Sequence, residues 1–144
     1  MDHSDLKKRL KSIRMFVLDM DGTIYLGDRL FPFTKKFLEN IKSAGKDFCF
    51  FTNNSSKNRE AYLQKLRGMG ISAASEQMLL SNDVILEWLR EHHPGESCYV
   101  VGTPFLLEDF RKAGIPLKEE DPDYVVLGFD TTLTYEKLCI ACDL

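Results

Sequence analysis

Two carboxylates, Asp19 and Asp21, stand two positions apart directly after the apolar run Met15-Phe16-Val17-Leu18, and Gly22-Thr23 follow at once. Four consecutive apolar residues predict a short strand buried on both faces, as inside a parallel sheet. Side chains alternate along extended backbone, so the two acids leave the strand end on one side. Gly22 permits the sharp turn that must follow. In open α/β sheets, ligands bind beyond the carboxyl ends of the strands, where this pair is expected. Such a pair calls for a cation; the plainer alternative is a solvated acidic turn.

A second run has the same design. Phe48-Cys49-Phe50-Phe51 predicts another apolar strand, and it breaks into Thr52-Asn53-Asn54-Ser55-Ser56. If the two strands are parallel, hydroxyl and amide donors lie beside the carboxylates. A helix expected to begin near Lys57 aims its free N–H groups at the same place, which favours an anion. A cation site next to an anion site describes a metal-bound phosphate.

These motifs, DMDGTIYLGD at 19–28 and FFTNNSSKN at 50–58, resemble those of the haloacid dehalogenase superfamily of phosphotransferases, and most of all its NagD-like, 4-nitrophenylphosphatase branch. The likeness continues through Tyr99–Gly102, Pro122–Asp130 and Thr134–Leu138, so it covers almost everything from residue 15 onward. The resemblance implies an α/β fold: a Rossmann-like parallel-sheet core, incomplete here, with part of an inserted α/β cap. It divides the chain into residues 1–82, the first part of the core with both motifs, and residues 83–144, the first part of the cap.

The resemblance also implies roles. Asp19 would be the nucleophile that forms an aspartyl-phosphate, and Asp21 the acid and base. Mg²⁺ would bind the Asp19 carboxylate and the Asp21 backbone carbonyl. Thr52, with backbone N–H groups around Asn53 and Gly22, would hold the phosphoryl oxygens. The implied function is hydrolysis of phosphomonoesters: sugar phosphates, nucleotides or other small esters.

Relatives carry two further motifs after the cap, a phosphate-binding lysine and another acidic metal ligand. No Gly-Asp-x-x-x-Asp pattern occurs after residue 60, and the sequence given ends at Leu144, within the stretch that matches the cap. Two carboxylates and a phosphate dianion crowd negative charge: each like pair at ~4 Å costs roughly 4 kcal/mol at an effective dielectric near 20. Lys57 and Arg59 are candidates for the missing cation, with a solvated helix face as the alternative.

The elements that must position these residues follow the same alternation. Tyr25-Leu26-Gly27-Asp28-Arg29-Leu30 predicts a small hairpin. Thr34 is expected to cap a helix bearing Phe37, Leu38 and Ile41 and ended by Gly45. Tyr62, Leu63 and Leu66 predict a helix ending at Gly68 or Gly70. Met78-Leu79-Leu80 predicts a third strand, and Ser81-Asn82-Asp83 opens a helix carrying Val84, Ile85, Trp88 and Leu89, with Trp88 in the core. Beyond Gly95, Cys98–Val101 and Tyr124–Leu127 predict strands. Thr103-Pro104 starts a helix ended by Gly114, and Thr134 caps the last one. Gly128-Phe129-Asp130, leaving a strand end, is either a leaving-group contact or an ordinary loop.

Composition narrows the class. Apolar content of 44% and charged content of 28% suit a globular protein, and a net charge of −3 without a basic stripe excludes nucleic acid as the expected partner. Lys7-Lys8-Arg9-Leu10-Lys11 fits a solvated amphipathic lead-in with Leu6, Leu10 and Ile13 on one face. No apolar run approaches a membrane span and the N-terminus lacks a signal-peptide core, so a cytoplasmic location is expected. Cys49 and Cys98 are expected in the core. Cys139-Ile140-Ala141-Cys142 has redox-pair spacing but falls inside an expected helix, which favours structural cysteines. His92 and His93 before Pro94-Gly95 read as a helix end, with metal binding the alternative.

Two other classes compete with a phosphatase. A signalling receiver also phosphorylates an aspartate at a strand end, yet nothing acidic ends Phe48–Phe51 here. A noncatalytic binding or assembly module on the phosphatase fold is the main alternative. Without further strands, the Met15–Leu18 strand would be an exposed apolar edge, so self-association or marginal stability is expected.

Overall fold

A computed structural model describes residues 3–144. The element order is α1 (His3–Ser12), β1 (Met15–Asp19), β2 (Tyr25–Leu26), β3 (Arg29–Leu30), α2 (Thr34–Ser43), β4 (Asp47–Thr52), α3 (Arg59–Gly68), β5 (Met78–Leu80), α4 (Ser81–His92), β6 (Cys98–Val101), α5 (Pro104–Lys112), β7 (Tyr124–Leu127) and α6 (Tyr135–Asp143). The class is α/β. Two compact units result: one runs to Phe51 and resumes over Lys65–Leu79, and the other comprises Thr52–Gln64 and Leu80–Leu144. Among the described residues, no helix is long and apolar enough to cross a membrane.

The first unit is built on a sheet in the order β1-β4-β5, with β1 and β4 parallel and in register from Met15↔Asp47 to Asp19↔Phe51. Along β4 the side chains alternate, with Phe48 and Phe50 buried, their rings 5.2 Å apart, and Phe51 exposed. Cys49 is only half-buried, so one expected core thiol lies at the margin.

β1 differs from expectation. Leu18 is buried, but Met15 and Val17 are 56% and 66% exposed. Among the described residues β1 pairs on one side only, so its second edge and part of one face stay open. Lys46 reaches the α1–β1 connection, donating to the carbonyls of Leu10 and Lys11 at 3.1 and 3.0 Å and also to that of Ile13. The expected hairpin is β2–β3, antiparallel, with Tyr25↔Leu30 and Leu26↔Arg29 paired.

Thr34 does not cap α2. Phe33 holds that position without a side-chain bond, and the buried Thr34 hydroxyl instead donates to the Ile24 carbonyl at 2.6 Å. A hydroxyl ten residues from its acceptor pins the acidic turn to the helix, a tertiary role that local capping preference does not reveal.

The second unit centres on β6 and β7, parallel and paired from Cys98↔Tyr124 to Val101↔Leu127. Its core joins Leu89, Cys98, Val100, Leu106, Phe110 and Ile115. Burial pushes the Cys98 thiol above its ordinary value, helped by the charges of Asp123 and Glu96. Thr103 precedes α5 with extended backbone and Pro104 starts the helix, but its hydroxyl donates to the Ser56 carbonyl at 2.9 Å rather than capping. Thr134 does cap α6, accepting from the Lys137 N–H at 3.3 Å.

Trp88 departs from the expected core position, being 42% exposed. It lies against His93 (ring centroids 4.5 Å apart) and stacks on His92 at 5.8 Å, while Tyr124 meets His93 edge-on at 4.9 Å. His92 ends α4 as expected, and His93 Nδ1 is held by Glu96 at 2.9 Å and by the Tyr124 hydroxyl at 2.7 Å.

Candidate active site

In the first unit, β1 ends at Asp19, Met20 turns inward with no exposure, and Asp21 is again exposed. The alternation of extended backbone thus anchors one apolar side chain between two solvent-facing carboxylates. The turn after them is tight. The Met20 carbonyl accepts from the N–H groups of Thr23, Ile24 and Tyr25 at 3.2, 2.8 and 3.3 Å. The Gly22 N–H donates to the Tyr25 carbonyl at 2.7 Å, and Gly22 holds φ +80°, a conformation that a side chain would strain. A Cβ there would meet open space, so glycine is required by conformation rather than crowding. The Thr23 hydroxyl donates to Asp19 Oδ2 at 3.3 Å.

Among the described residues neither Asp19 nor Asp21 forms an ion pair. Two exposed, uncompensated carboxylates are hard oxygen donors of the kind magnesium takes, one or two at a time, beside phosphate and water. Among the described residues no group of three or more histidine, cysteine, aspartate or glutamate side chains is placed to hold a metal ion. The exposed Asp19 carboxylate offers a donor of the kind magnesium takes.

In the second unit, Thr52 is buried and Asn53 exposed. The Thr52 oxygen accepts from the Asn54 N–H at 3.2 Å, which leaves its hydroxyl proton free to donate. The following loop is fixed at each step. Asn54 Oδ1 accepts from the Ser56 N–H at 2.9 Å, the Asn54 carbonyl accepts from the Tyr62 hydroxyl at 3.0 Å, and the Asn53 carbonyl accepts from the Ser81 hydroxyl at 3.3 Å. α3 starts at Arg59 rather than Lys57, with Asn58 Oδ1 accepting from the Ala61 N–H at 3.0 Å.

Sequence reasoning missed Ser55. It is buried, and its hydroxyl oxygen accepts from the Phe129 N–H at 2.6 Å, tying the loop to the end of β7. The run of small polar residues after a strand was the available signal, but its partner lies seventy-four residues away. Gly128 is wedged there: an added Cβ would meet Leu106 Cδ2 at 2.5 Å and Ser55 Oγ at 3.0 Å. A cavity of about 330 Å³ adjoins this contact, with Asn53, Ser55, Ser81 and Asn82 on its polar side and Leu106 and Phe129 on its apolar side.

The other candidates have definite places. Arg59 pairs with Asp83 at 2.5 Å, and Asp83 also accepts from the Leu80 N–H at 2.8 Å, so this cation is already matched. Asp130 is buried against Lys137 at 2.6 Å. Burial alone would raise its carboxyl, but Lys137 and the two Thr132 donors outweigh that and hold it below its ordinary value. Asn82 donates to Asp109 at 3.0 Å, and burial pushes the Asp109 carboxyl up despite that bond.

The chain is 36% identical over 133 residues to an acid sugar phosphatase of Staphylococcus aureus, covering 92% of this chain and 51% of that protein. It superimposes with a TM-score of 0.87 on a 4-nitrophenylphosphatase from Thermotoga maritima, at 44% identity over 93% of this chain and 51% of the other. NagD from E. coli, at 23% identity and a TM-score of 0.79 over 91% of this chain and 52% of its own, shares the fold. The chain therefore spans about half the length of the curated relatives it matches. The profile of one family, described as haloacid dehalogenase-like hydrolase, matches residues 16–116, which include both acidic and Thr-Asn motifs. The chain belongs to the haloacid dehalogenase-like hydrolase family.

Proposed function

We propose that this chain supplies the nucleophile, the acid–base group and part of the phosphate site of a Mg²⁺-dependent phosphomonoester hydrolase. One observation carries the reading: β1 and β4 run parallel with Asp19 opposite Phe51, the residue before Thr52, so both motifs leave the sheet in the same direction. The name of the acid sugar phosphatase relative adds support for a phosphate ester as substrate. Residues 1–82 are assigned to the core and 83–144 to the cap.

In this reading an Asp19 oxygen attacks phosphorus in line while the bond to the leaving oxygen breaks. Asp21 delivers its proton to the departing alkoxide, giving the free alcohol and an aspartyl-phosphate at Asp19. Asp21, now ionised, takes a proton from water as that water attacks phosphorus, which frees inorganic phosphate and restores Asp19. The Thr52 hydroxyl and the Asn53 backbone hold phosphoryl oxygens, and Gly22 supplies the positive φ on which the acidic turn is built. Mg²⁺, when bound by the Asp19 carboxylate and the Asp21 carbonyl, lowers the repulsion between carboxylate and phosphate. The substrates are small phosphorylated metabolites in the cytoplasm: sugar phosphates, nucleotides and similar esters.

The test is steady-state hydrolysis of 4-nitrophenyl phosphate with Mg²⁺, comparing the chain with Asp19→Asn. Turnover that vanishes in the variant supports the reading. Equal rates would end it and leave the noncatalytic binding module in its place.

A further inference from the structure

The loop after β4 is held by its carbonyls. Those of Asn53, Asn54, Ser56 and Lys57 accept from the side chains of Ser81, Tyr62, Thr103 and Asn82, at 3.3, 3.0, 2.9 and 3.4 Å. All four donors belong to the same unit as the loop, but to three different helices and the turn before one of them. A carbonyl and the N–H of the next residue share one rigid plane and point opposite ways. Holding the Asn54 and Ser56 carbonyls therefore also fixes the Ser55 and Lys57 N–H groups, which face away from the Tyr62 and Thr103 hydroxyls.

Thr103 differs from the other three donors. It is 2% exposed, its bond is the shortest of the four, and it reaches an acceptor 47 positions away. By position it precedes α5, where a threonine side chain ordinarily caps the helix. No such bond forms. Pro104, with its φ already set for a helix, starts α5 without one. Departures from a local preference are expected at functional or strained sites.

Given the phosphatase reading of this loop, on which the assignment rests, we propose that Thr103 is a positioning residue for phosphate. Through the Ser56 carbonyl it holds the backbone that follows Thr52 and Asn53 in the conformation that receives phosphoryl oxygens. Thr103 acts through the loop and not on the substrate. Donors set in place before the anion arrives need no ordering when it binds, and that saving appears as affinity. Without the hydroxyl, the carbonyl of the buried Ser56 loses its partner or turns to find another, and the Lys57 N–H turns with it.

The test uses the whole 144-residue chain with Mg²⁺. Affinity for inorganic phosphate is measured by titration calorimetry, and amide exchange at Ser55 and Lys57 by nuclear magnetic resonance. Thr103→Val and Thr103→Ala both remove the hydroxyl, one at nearly constant shape and one with room left over. Each is expected to weaken phosphate binding by about 10- to 100-fold and to speed exchange at Lys57. Thr103→Ser restores the donor and is expected to return both measurements to near the unmodified values. Ser97→Ala removes another buried hydroxyl of the same unit and is expected to change neither. If the unmodified chain binds phosphate and the Val and Ala variants bind it equally, the positioning role is overturned while the phosphatase reading stands. A loss as large in Ser97→Ala would overturn it too, by making the effect one of general stability. No phosphate binding by the unmodified chain would overturn both the role and the reading.

Discussion

The Thr34 hydroxyl donates to the Ile24 carbonyl at 2.6 Å, and both residues are buried. Through that bond α2 holds the backbone immediately after the acidic pair, so the geometry of Asp19 and Asp21 depends on a helix that contributes no group to the chemistry. Thr34→Val keeps the volume but leaves the carbonyl one donor short. It is expected to destabilise the chain by about 1–3 kcal/mol in urea denaturation followed by circular dichroism, with Thr34→Ser close to the unmodified protein. Equal midpoints for Thr34→Val and the unmodified chain would remove the hydroxyl from the account.

Arg59 should prove dispensable for turnover. Its guanidinium already faces Asp83, with both side chains about one-third exposed, which makes the pair a modest contributor to stability. Arg59→Gln is expected to change kcat for 4-nitrophenyl phosphate less than twofold or so, whereas a group balancing the phosphate would cost about 10²–10³. A loss of that size would make Arg59 a phosphate-binding cation.

Acid sensitivity has an assignable source. The Ser97 hydroxyl and then its N–H hold the Asp123 carboxyl below its ordinary value, both at 2.6 Å. A carboxyl depressed by folding contributes stability that is present above its unfolded value, about 3.9, and is lost as pH falls through the folded one. Ser97→Ala is therefore expected to flatten the dependence of the denaturation midpoint on pH below about 4. An unchanged acid limb would count against the assignment.

Asp109 has the opposite sign. Burial raises its carboxyl, so the stability it contributes is complete below the unfolded value and is lost as pH rises through the folded one. Asp109→Asn keeps an acceptor for Asn82 and removes the half-buried charge. The variant should gain stability at neutral pH relative to the unmodified chain and lose that advantage near pH 4 (about the unfolded carboxyl value). A variant less stable at pH 7 than at pH 4, compared with the unmodified chain, would contradict this.

The open edge of β1 predicts concentration-dependent association, because unpaired backbone flanked by exposed Met15 and Val17 is a template for another strand. Sedimentation velocity over a concentration series checks it: Val17→Lys is expected to shift the chain toward the monomer. Identical profiles would show that the edge is inert.

Much of this architecture was legible because it is local. The apolar runs ending in Asp19 and Thr52, the hairpin at Tyr25–Leu30 and the stop at Gly45 all carry their signals within a few residues. Errors arose where a residue with a strong local preference was used at long range. Thr34 and Thr103 are both good caps by type, yet their hydroxyls go to Ile24 and Ser56. Trp88 has the hydrophobicity of a core residue, but two imidazoles and a tyrosine satisfy it at the surface. Ser55 was invisible as a tie because its partner, Phe129, is distant in sequence.

Trp88 is the sole tryptophan of the chain, and it sits in the unit built on β6 and β7. Indole emission is consequently a local gauge, deaf to everything between α1 and β4. A thermal scan read by fluorescence and one read by ellipticity would interrogate different halves of the polypeptide, and any offset between the two curves would measure how independently those halves come apart.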